Sequence, residues 1–179
     1  MIKIFEKYRG IKILKFFIFN PTKGFYLREI ARKLKMSTST VKTFLDLFVK
    51  EGIVIKEKIG NLSIFNLNNE SMYVKELKKV FTLFYFKENN IEKITNKTLA
   101  IYGSYAKGEF DERSDIDLLV IGKKADINYK ALKSFEDNVG IEVQLTVIPY
   151  YKWERMKEKK EAFAMEVLSN HILIKGPKL

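Results

Sequence analysis

Two aspartates, Asp115 and Asp117, lie two positions apart at the start of an apolar run that ends at Ile121. In a β-strand, residues i and i+2 project from the same face, so both carboxylates would point the same way at one strand end. A buried carboxylate without a partner is unfavourable, so a cation is expected beside the pair. Mg²⁺ takes hard oxygen ligands and is commonly held by one or two carboxylates together with substrate phosphates. The spacing therefore predicts a magnesium site.

A second group of residues, upstream, has the properties of a phosphate site. Residues 98–102 read as a short buried strand that turns at Gly103 and Ser104 into a single helical turn. Glycine lets the backbone approach a ligand closely, and N–H groups at a helix start can hold a phosphate together with the Ser104 hydroxyl. Lys107, in the same turn, could neutralise phosphate charge. An ordinary strand-to-helix turn and an Asx turn at Ser114 are the structural alternatives.

Together, residues 103–108 (GSYAKG) and 114–117 (SDID) resemble the signature of the nucleotidyltransferase superfamily related to DNA polymerase beta, in its minimal form. The resemblance covers about the last eighty residues. It implies that Gly103, Ser104 and Lys107 bind a nucleoside triphosphate, and that Asp115 and Asp117 are catalytic Mg²⁺ ligands. ATP is the expected nucleotide.

In that superfamily a third carboxylate comes from a neighbouring strand and completes the metal site. The candidate strand is residues 141–148, in which Glu142, Gln144 and Thr146 share one face. Glu142 is the only acid available and is the predicted third catalytic and metal-binding residue. If Gln144 occupies the third position instead, the protein would keep nucleotide binding and lose much of its chemistry. A solvated surface role for Glu142 is the remaining alternative.

Composition narrows the chemistry. The 179 residues include no cysteine and a single histidine, His171, so thiolate and multi-histidine metal sites are excluded within one chain. His171 follows a predicted helix and precedes a short apolar strand, where a capping or packing role is expected. No run of eighteen apolar residues and no charged-then-apolar leader occurs, which predicts a cytoplasmic protein without membrane contact.

Positive charge is concentrated in the first half of the chain. Residues 1–97 hold 20 lysines and arginines against 9 acidic residues, a net charge of +11, whereas residues 98–179 hold 13 against 13. A field of this kind favours a polyanionic partner through counterion release. A lysine-rich surface tuned for solubility or heat is the competing explanation.

The pattern of the first 70 residues favours a polyanionic partner over a surface tuned for solubility or heat. Apolar spacing predicts helices over residues 2–19, 26–35 and 37–52, and residues 53–67 read as a hairpin turning at Gly60. Three helices and a β-ribbon resemble a winged helix-turn-helix domain. The resemblance implies contacts with double-stranded DNA from the third helix and the wing, by Ser37, Thr38, Ser39, Thr40, Lys42, Lys56 and Lys58. Hydroxyls at a helix start also serve as ordinary caps.

The sequence thus predicts an α+β protein with three parts: a winged helix-turn-helix domain (residues 1–70), a linker helix (71–97) and a small mixed-sheet nucleotidyltransferase domain (98–179). The linker helix is apolar on more than one side, which predicts either a homodimer through this helix or packing within its own chain. The predicted function is Mg²⁺-dependent nucleotidyl transfer to a hydroxyl of a small molecule or a protein, combined with DNA binding, as in an autoregulating antitoxin. The alternative is a transcription regulator whose degenerate nucleotidyltransferase fold only senses a nucleotide.

Overall fold

A computed structural model describes residues 7–179 and shows an α+β protein that divides into two compact units, residues 1–81 and 82–179. The division falls within a long helix, Met72–Glu88. Each unit has its own sheet, and each is described by itself below.

The first unit contains three helices, α1 (Arg9–Ile18), α2 (Leu27–Leu34) and α3 (Thr38–Lys50). All three were predicted, although the predicted first helix begins at Ile2, outside the described residues. α1 buries Ile13, Leu14, Phe17 and Ile18, at the spacing of one helical face. These side chains form part of the core beneath α2 and α3.

The sheet of the first unit is antiparallel, with strand order β1-β3-β2, and its strands are β1 (Phe25–Tyr26), β2 (Val54–Ile59) and β3 (Leu62–Leu67). β2 and β3 form the predicted hairpin, with Gly60 at φ +59° in the turn. Strand β1 was not predicted, because two residues are too short to show a period. It pairs with β3 and joins the hairpin to the segment before α2.

Helix α4 (Met72–Glu88) crosses from one unit to the next. In the second unit its Phe86 is fully buried and lies against Tyr105 and Phe135, with ring centroids 5.6 and 5.3 Å apart. Met72 and Tyr73 at its start are exposed. Part of the wide apolar stripe is therefore covered within the chain, and dimerisation through this helix stays a prediction.

The second unit is a four-stranded mixed sheet with strand order β6-β5-β4-β7. Its elements are β4 (Thr98–Ile101), α5 (Gly103–Lys107), β5 (Ile116–Ile121), α6 (Tyr129–Val139), β6 (Val143–Ile148), α7 (Tyr150–Glu158), α8 (Ala162–Ser169) and β7 (Ile172–Lys175). β5 and β6 are parallel and joined through α6, whereas β4 pairs antiparallel with both β5 and β7. Single turns of 3₁₀ helix at Ile91–Lys93 and Lys124–Asp126 complete the connections.

Both faces of β5 are largely buried. On one face, Ile116, Leu118 and Val120 are fully buried. On the other face, Leu119 and Ile121 belong to a second apolar cluster with Trp153, Met156, Ala164 and Val167 of helices α7 and α8. Asp117 lies on this second face, at the end where the apolar cover stops. The helices that build the core therefore also form the wall beside the aspartates.

His171 performs the capping role predicted for it. Its Nδ1 atom lies 2.9 Å from the carbonyl oxygen of Val167, at the end of α8. None of the helices within residues 7–179 combines the length and the apolar character that a membrane span requires.

Candidate functional site

The turn after β4 brings the backbone into contact with Asp117. Gly103 adopts φ +67°, a left-handed conformation that favours glycine, and opens α5. A Cβ atom built at Gly103 would collide with the Asp117 carboxylate. The peptide N–H of Tyr102 donates to the Asp117 carbonyl oxygen at 3.1 Å. Glycine is therefore required at position 103 by both its dihedral angle and its neighbour.

Asp115 and Asp117 lie where the strand begins, as the sequence predicted. Asp117 is the second residue of β5, and Asp115 immediately precedes the strand. The segment before them is fixed by Asp111, whose Oδ1 accepts from the Arg113 N–H at 2.8 Å and the Ser114 hydroxyl at 3.0 Å. These hydrogen bonds lower the pKa of Asp111, with the bond from Arg113 contributing most. Asp111 and Ser114 therefore form the side-chain hydrogen bond of the turn before β5. Asp115 and Asp117 are not needed for that turn.

The register between β5 and β6 decides which residue lies beside the aspartates. Gln144 is the direct partner of Asp117, and its Nε2 donates to Oδ2 of Asp115 at 2.9 Å. Glu142 comes before β6, exposes its side chain, and uses its backbone oxygen to accept from the Ile116 N–H at 2.9 Å. Of the two alternatives, the register therefore favours Gln144 as the neighbour of the carboxylate pair.

No group of three or more acidic, histidine or cysteine side chains within residues 7–179 is placed to hold a metal ion together. Glu142 therefore does not complete a three-carboxylate site in this structure. The oxygen donors that remain are Asp115, Asp117 and the amide of Gln144, which can present its oxygen after rotation.

Several negative charges lie close together around Asp115 and Asp117. Partial burial raises the pKa of Asp117, and the nearby charges of Asp115 and Glu166 raise it further. Burial also raises the pKa of the Tyr102 hydroxyl, with Asp117 and Glu166 adding to the shift and the hydrogen bond with Thr146 opposing it. A cation placed beside Asp117 would remove this penalty.

Helix α8 contributes residues that the sequence did not identify. Glu166 forms an ion pair with Lys107, with Oε1 and Nζ 3.1 Å apart. Phe163 packs edge-on against Tyr102, with ring centroids 5.5 Å apart, and the Tyr102 hydroxyl lies 3.0 Å from Oγ1 of Thr146. These residues are distant in sequence and carry no motif, so only the packing of α8 on the sheet reveals them. Lys107, expected to bind nucleotide, is thus held by an acid.

The residues predicted to contact DNA lie at two places in the first unit. Ser37 caps α3, accepting from the Thr40 N–H at 3.2 Å, and its Oγ is 2.8 Å from Oγ1 of Thr40 and 3.0 Å from Oγ of Ser39. Thr38 and Lys42 are exposed on the first turns of α3. Lys56 and Lys58 are exposed on β2, with the Lys56 ammonium 5.9 Å from the Phe65 ring centre. The cluster of hydroxyl groups around Ser37 therefore caps α3. The three lysines predicted to contact DNA are exposed.

A family model for the nucleotidyltransferase domain matches residues 84–174. The chain belongs to this family. The match begins in the second half of α4 and ends in β7, so it contains the glycine turn and both aspartates. The resemblance based on the GSYAKG and SDID segments is confirmed at the level of the domain.

A relative of this nucleotidyltransferase in Methanocaldococcus jannaschii is named "Putative protein adenylyltransferase MJ1547". It is 34% identical over 74 residues, which make up 41% of this chain and 61% of the relative. The chain thus spans less than two thirds of the relative's length, and the activity in that name enters only as part of a proposal.

Two solved structures are similar to part of the chain at low TM-scores. One, a toxin-antitoxin with AMP-PNP, matches 54% of this chain and 74% of its own with 14% identity and a TM-score of 0.36. The other, described as a "putative nucleotidyltransferase from Sulfolobus solfataricus", matches 57% and 83% with 17% identity and a TM-score of 0.30. At these levels no detail is transferred, and the site is argued from the residues of this chain.

Proposed function

We propose that the protein is a Mg²⁺-dependent nucleotidyltransferase that uses a nucleoside triphosphate, ATP in the first instance, to modify a hydroxyl group. One observation carries the proposal: Asp115 and Asp117 begin β5 beside a glycine turn whose backbone is pressed against Asp117. Asp115 and Asp117 would hold the ion there, and it would supply positive charge next to a triphosphate at the turn.

The donors fit magnesium better than a softer metal. Asp115 and Asp117 supply carboxylate oxygens, Gln144 an amide, and the chain has no cysteine. Burial, together with the charges of Asp115 and Glu166, raises the pKa of Asp117, and a divalent ion beside the pair would favour its ionised form. Bound there, Mg²⁺ would neutralise negative charge on the triphosphate as pyrophosphate leaves.

The remaining roles follow from the turn. Gly103 and Ser104 would hold the phosphates through backbone N–H groups and the serine hydroxyl, and Lys107 would add positive charge. In the reaction, an acceptor oxygen forms a bond to the α-phosphorus, the bond from that phosphorus to the bridging oxygen breaks, and pyrophosphate departs. The acceptor proton passes to solvent or to an acidic side chain, and Glu142, predicted as the third catalytic residue, is exposed immediately before β6.

For the acceptor, we favour a hydroxyl on a partner protein over a small molecule. The name of the archaeal relative includes protein adenylyltransferase, and that similarity supports a protein acceptor here. The first unit would then give the same polypeptide access to DNA, as expected of an antitoxin-like protein that modifies a toxin and regulates its own operon.

The DNA-binding half of the proposal is supported by the first unit alone. Helices α1 to α3 with the β2-β3 hairpin have the element order of a winged helix-turn-helix domain. Thr38 and Lys42 at the exposed start of α3 would face the groove, and Lys56 and Lys58 of the hairpin would contact phosphates. Residues 1–81 carry 17 basic and 7 acidic residues, a net charge of +10.

The enzymatic proposal is tested by incubating the protein with α-labelled nucleoside triphosphates, Mg²⁺ and cell extract. Label transferred by the wild type should fall at least about 100-fold in Asp115→Asn and Asp117→Asn, because each removes a ligand charge. Asp137→Asn, an exposed acid on α6, is the matched control and should label normally. Equal labelling by all four proteins, or none by the wild type in any extract, would contradict the proposal.

A second function is favoured by Gln144. Because this amide, rather than the side chain of Glu142, lies opposite Asp117 on β6, the domain could bind nucleotide without efficient transfer and act as a nucleotide-sensing regulator of DNA binding. Gln144→Asp separates the two functions. A regulator should show nucleotide-dependent DNA affinity in the wild type and acquire transferase activity only in the variant. A transferase should be active before the substitution.

A further inference from the structure

The ion pair between Lys107 and Glu166 connects the glycine turn to helix α8 across 59 positions of sequence. Lys107 is the last residue of α5, and its Nζ lies 3.1 Å from Oε1 of Glu166. The two side chains are about one third and somewhat over one half exposed. The pair is therefore accessible to a ligand that enters at the turn.

Both ends of this pair are held by packing rather than by the ion pair itself. On α5, Tyr105 and Ala106 are buried next to Lys107. On α8, Ala164 and Val167 on either side of Glu166 are fully buried. Because the backbones are fixed, forming the contact costs only the ordering of the two side chains, and an exposed pair of this kind is weak enough for a ligand to displace.

The position of α8 relative to the aspartates is fixed by aromatic packing. Phe163, one turn before Glu166, packs against Tyr102, the residue that precedes Gly103. Tyr102 in turn hydrogen-bonds Asp117 through its backbone and lies close to Thr146 through its hydroxyl. Glu166 consequently projects beside the glycine turn and the carboxylates, and Lys107 is the cation that it engages there.

We propose that Glu166 is a positioning residue that occupies Lys107 until a triphosphate displaces it. This inference rests on the proposed nucleotide site and deepens it. In the free protein, the carboxylate takes the place that a phosphate would take on the lysine. A phosphate that reaches Lys107 must displace this carboxylate, and the further phosphates of a triphosphate supply additional contacts with the turn. The pair therefore lowers the affinity of every ligand that binds through Lys107.

The test is a double-mutant cycle on nucleotide affinity. Binding of a nonhydrolysable ATP analogue and of AMP is measured by calorimetry with Mg²⁺ at low ionic strength, for wild type, Glu166→Gln, Lys107→Gln and the double variant. Glu166→Gln should tighten binding of the analogue about two- to five-fold, the range expected for release of an exposed ion pair. It should tighten binding of AMP by a similar factor, because any phosphate on Lys107 breaks the same ion pair. In the Lys107→Gln background, the same change should have a smaller effect.

Glu158→Gln, an exposed acid at the end of α7, is the matched control for loss of one negative charge and should leave both affinities unchanged. Equal tightening with and without Lys107 would mean that Glu166 acts only through general repulsion, and weaker binding in Glu166→Gln would mean that the pair supports the site; either overturns the inference. If wild type binds the analogue and Asp117→Asn does not, these outcomes leave the proposed site standing. No binding to any variant would remove both.

Discussion

The two units of this protein carry their charge in different ways. Residues 1–81 have a net charge of +10, whereas residues 82–179 hold 16 basic and 15 acidic residues and are almost neutral. In the first unit, exposed cations include Lys42 of α3 and Lys56 and Lys58 of the hairpin, whereas Lys78 of α4 is buried. In the second, the charges of the proposed site are those of Asp115, Asp117, Glu166 and Lys107, which lie around the glycine turn.

The two arrangements of charge should respond differently to substitutions and to salt. A surface of dispersed cations acts through its summed field, so that single substitutions have graded effects and salt weakens all of them together. A site built from close contacts depends on the position of each atom, so that one added methyl group can abolish it. We therefore expect geometric changes to affect the second unit most and ionic strength to affect the first.

The largest expected effect is that of Gly103→Ala. The new Cβ would collide with the Asp117 carboxylate and move the turn, and nucleotidyl transfer should fall about 100-fold or more. Gly140→Ala is the matched control, since Gly140 has φ +69° but open space around its Cβ position. Both variants should lose roughly 1–2 kcal/mol of unfolding free energy from the left-handed conformation. Only the first should lose activity in the labelling assay, and equal activity in both would refute the close-contact argument.

A smaller, graded effect is expected for salt on DNA binding. If about four phosphates are contacted, affinity for duplex DNA should fall about 100-fold between about 50 and 200 mM salt. Fluorescence anisotropy with a labelled duplex gives the slope of log affinity against log salt. Undetectable binding at low salt would leave the first unit as a protein-interaction module.

Substitutions of single lysines test the same model of DNA binding in more detail. Lys56→Ala or Lys58→Ala should each weaken binding only a few-fold and reduce the slope by about one. Lys133→Ala, on α6 of the second unit and equally exposed, is the control and should leave the slope unchanged. A single lysine whose loss abolished binding would contradict the picture of a dispersed field.

The smallest effect concerns stability, and it should have opposite signs at two aspartates. The pKa of Asp117 is raised on folding, so its ionised form is unfavourable above that pKa, and the penalty disappears as the pH falls. Asp117→Asn should therefore raise Tm at pH 7 by about 1–3 °C. The pKa of Asp111 is lowered, so its contribution is present above the unfolded value and is lost as the pH falls through the folded value. Asp111→Asn should lower Tm.

Thermal unfolding of both variants between pH 4 and 7 provides the measurement. The gain in Asp117→Asn should shrink towards acid pH, and Mg²⁺ should stabilise the wild type but not this variant. Stabilisation of Asp111→Asn at neutral pH, or a Mg²⁺ response that does not require Asp117, would show that the charge assignment is wrong.

Much of the fold and of the candidate site could be predicted, because it depends on patterns among residues close together in the sequence. Helices α2 and α3 and the hairpin followed from apolar spacing, capping hydroxyls and glycine positions. The glycine turn and the aspartate pair followed from spacing within twenty residues. Strand β1 could not be predicted because two residues show no period. Glu166 and Phe163 could not be predicted as site residues, because no motif surrounds them in the sequence.

The amino-acid sequence alone predicted two carboxylates at the start of a strand, a glycine turn eleven residues before them, and the absence of thiolate and multi-histidine metal sites. The tertiary structure revealed which other residues lie beside these carboxylates. Pairing between β5 and β6 put Gln144 beside Asp117, and packing of α8 brought Glu166 to Lys107. Strand register and helix docking are set by burial of apolar faces summed over many residues, and that sum cannot be read from any one segment.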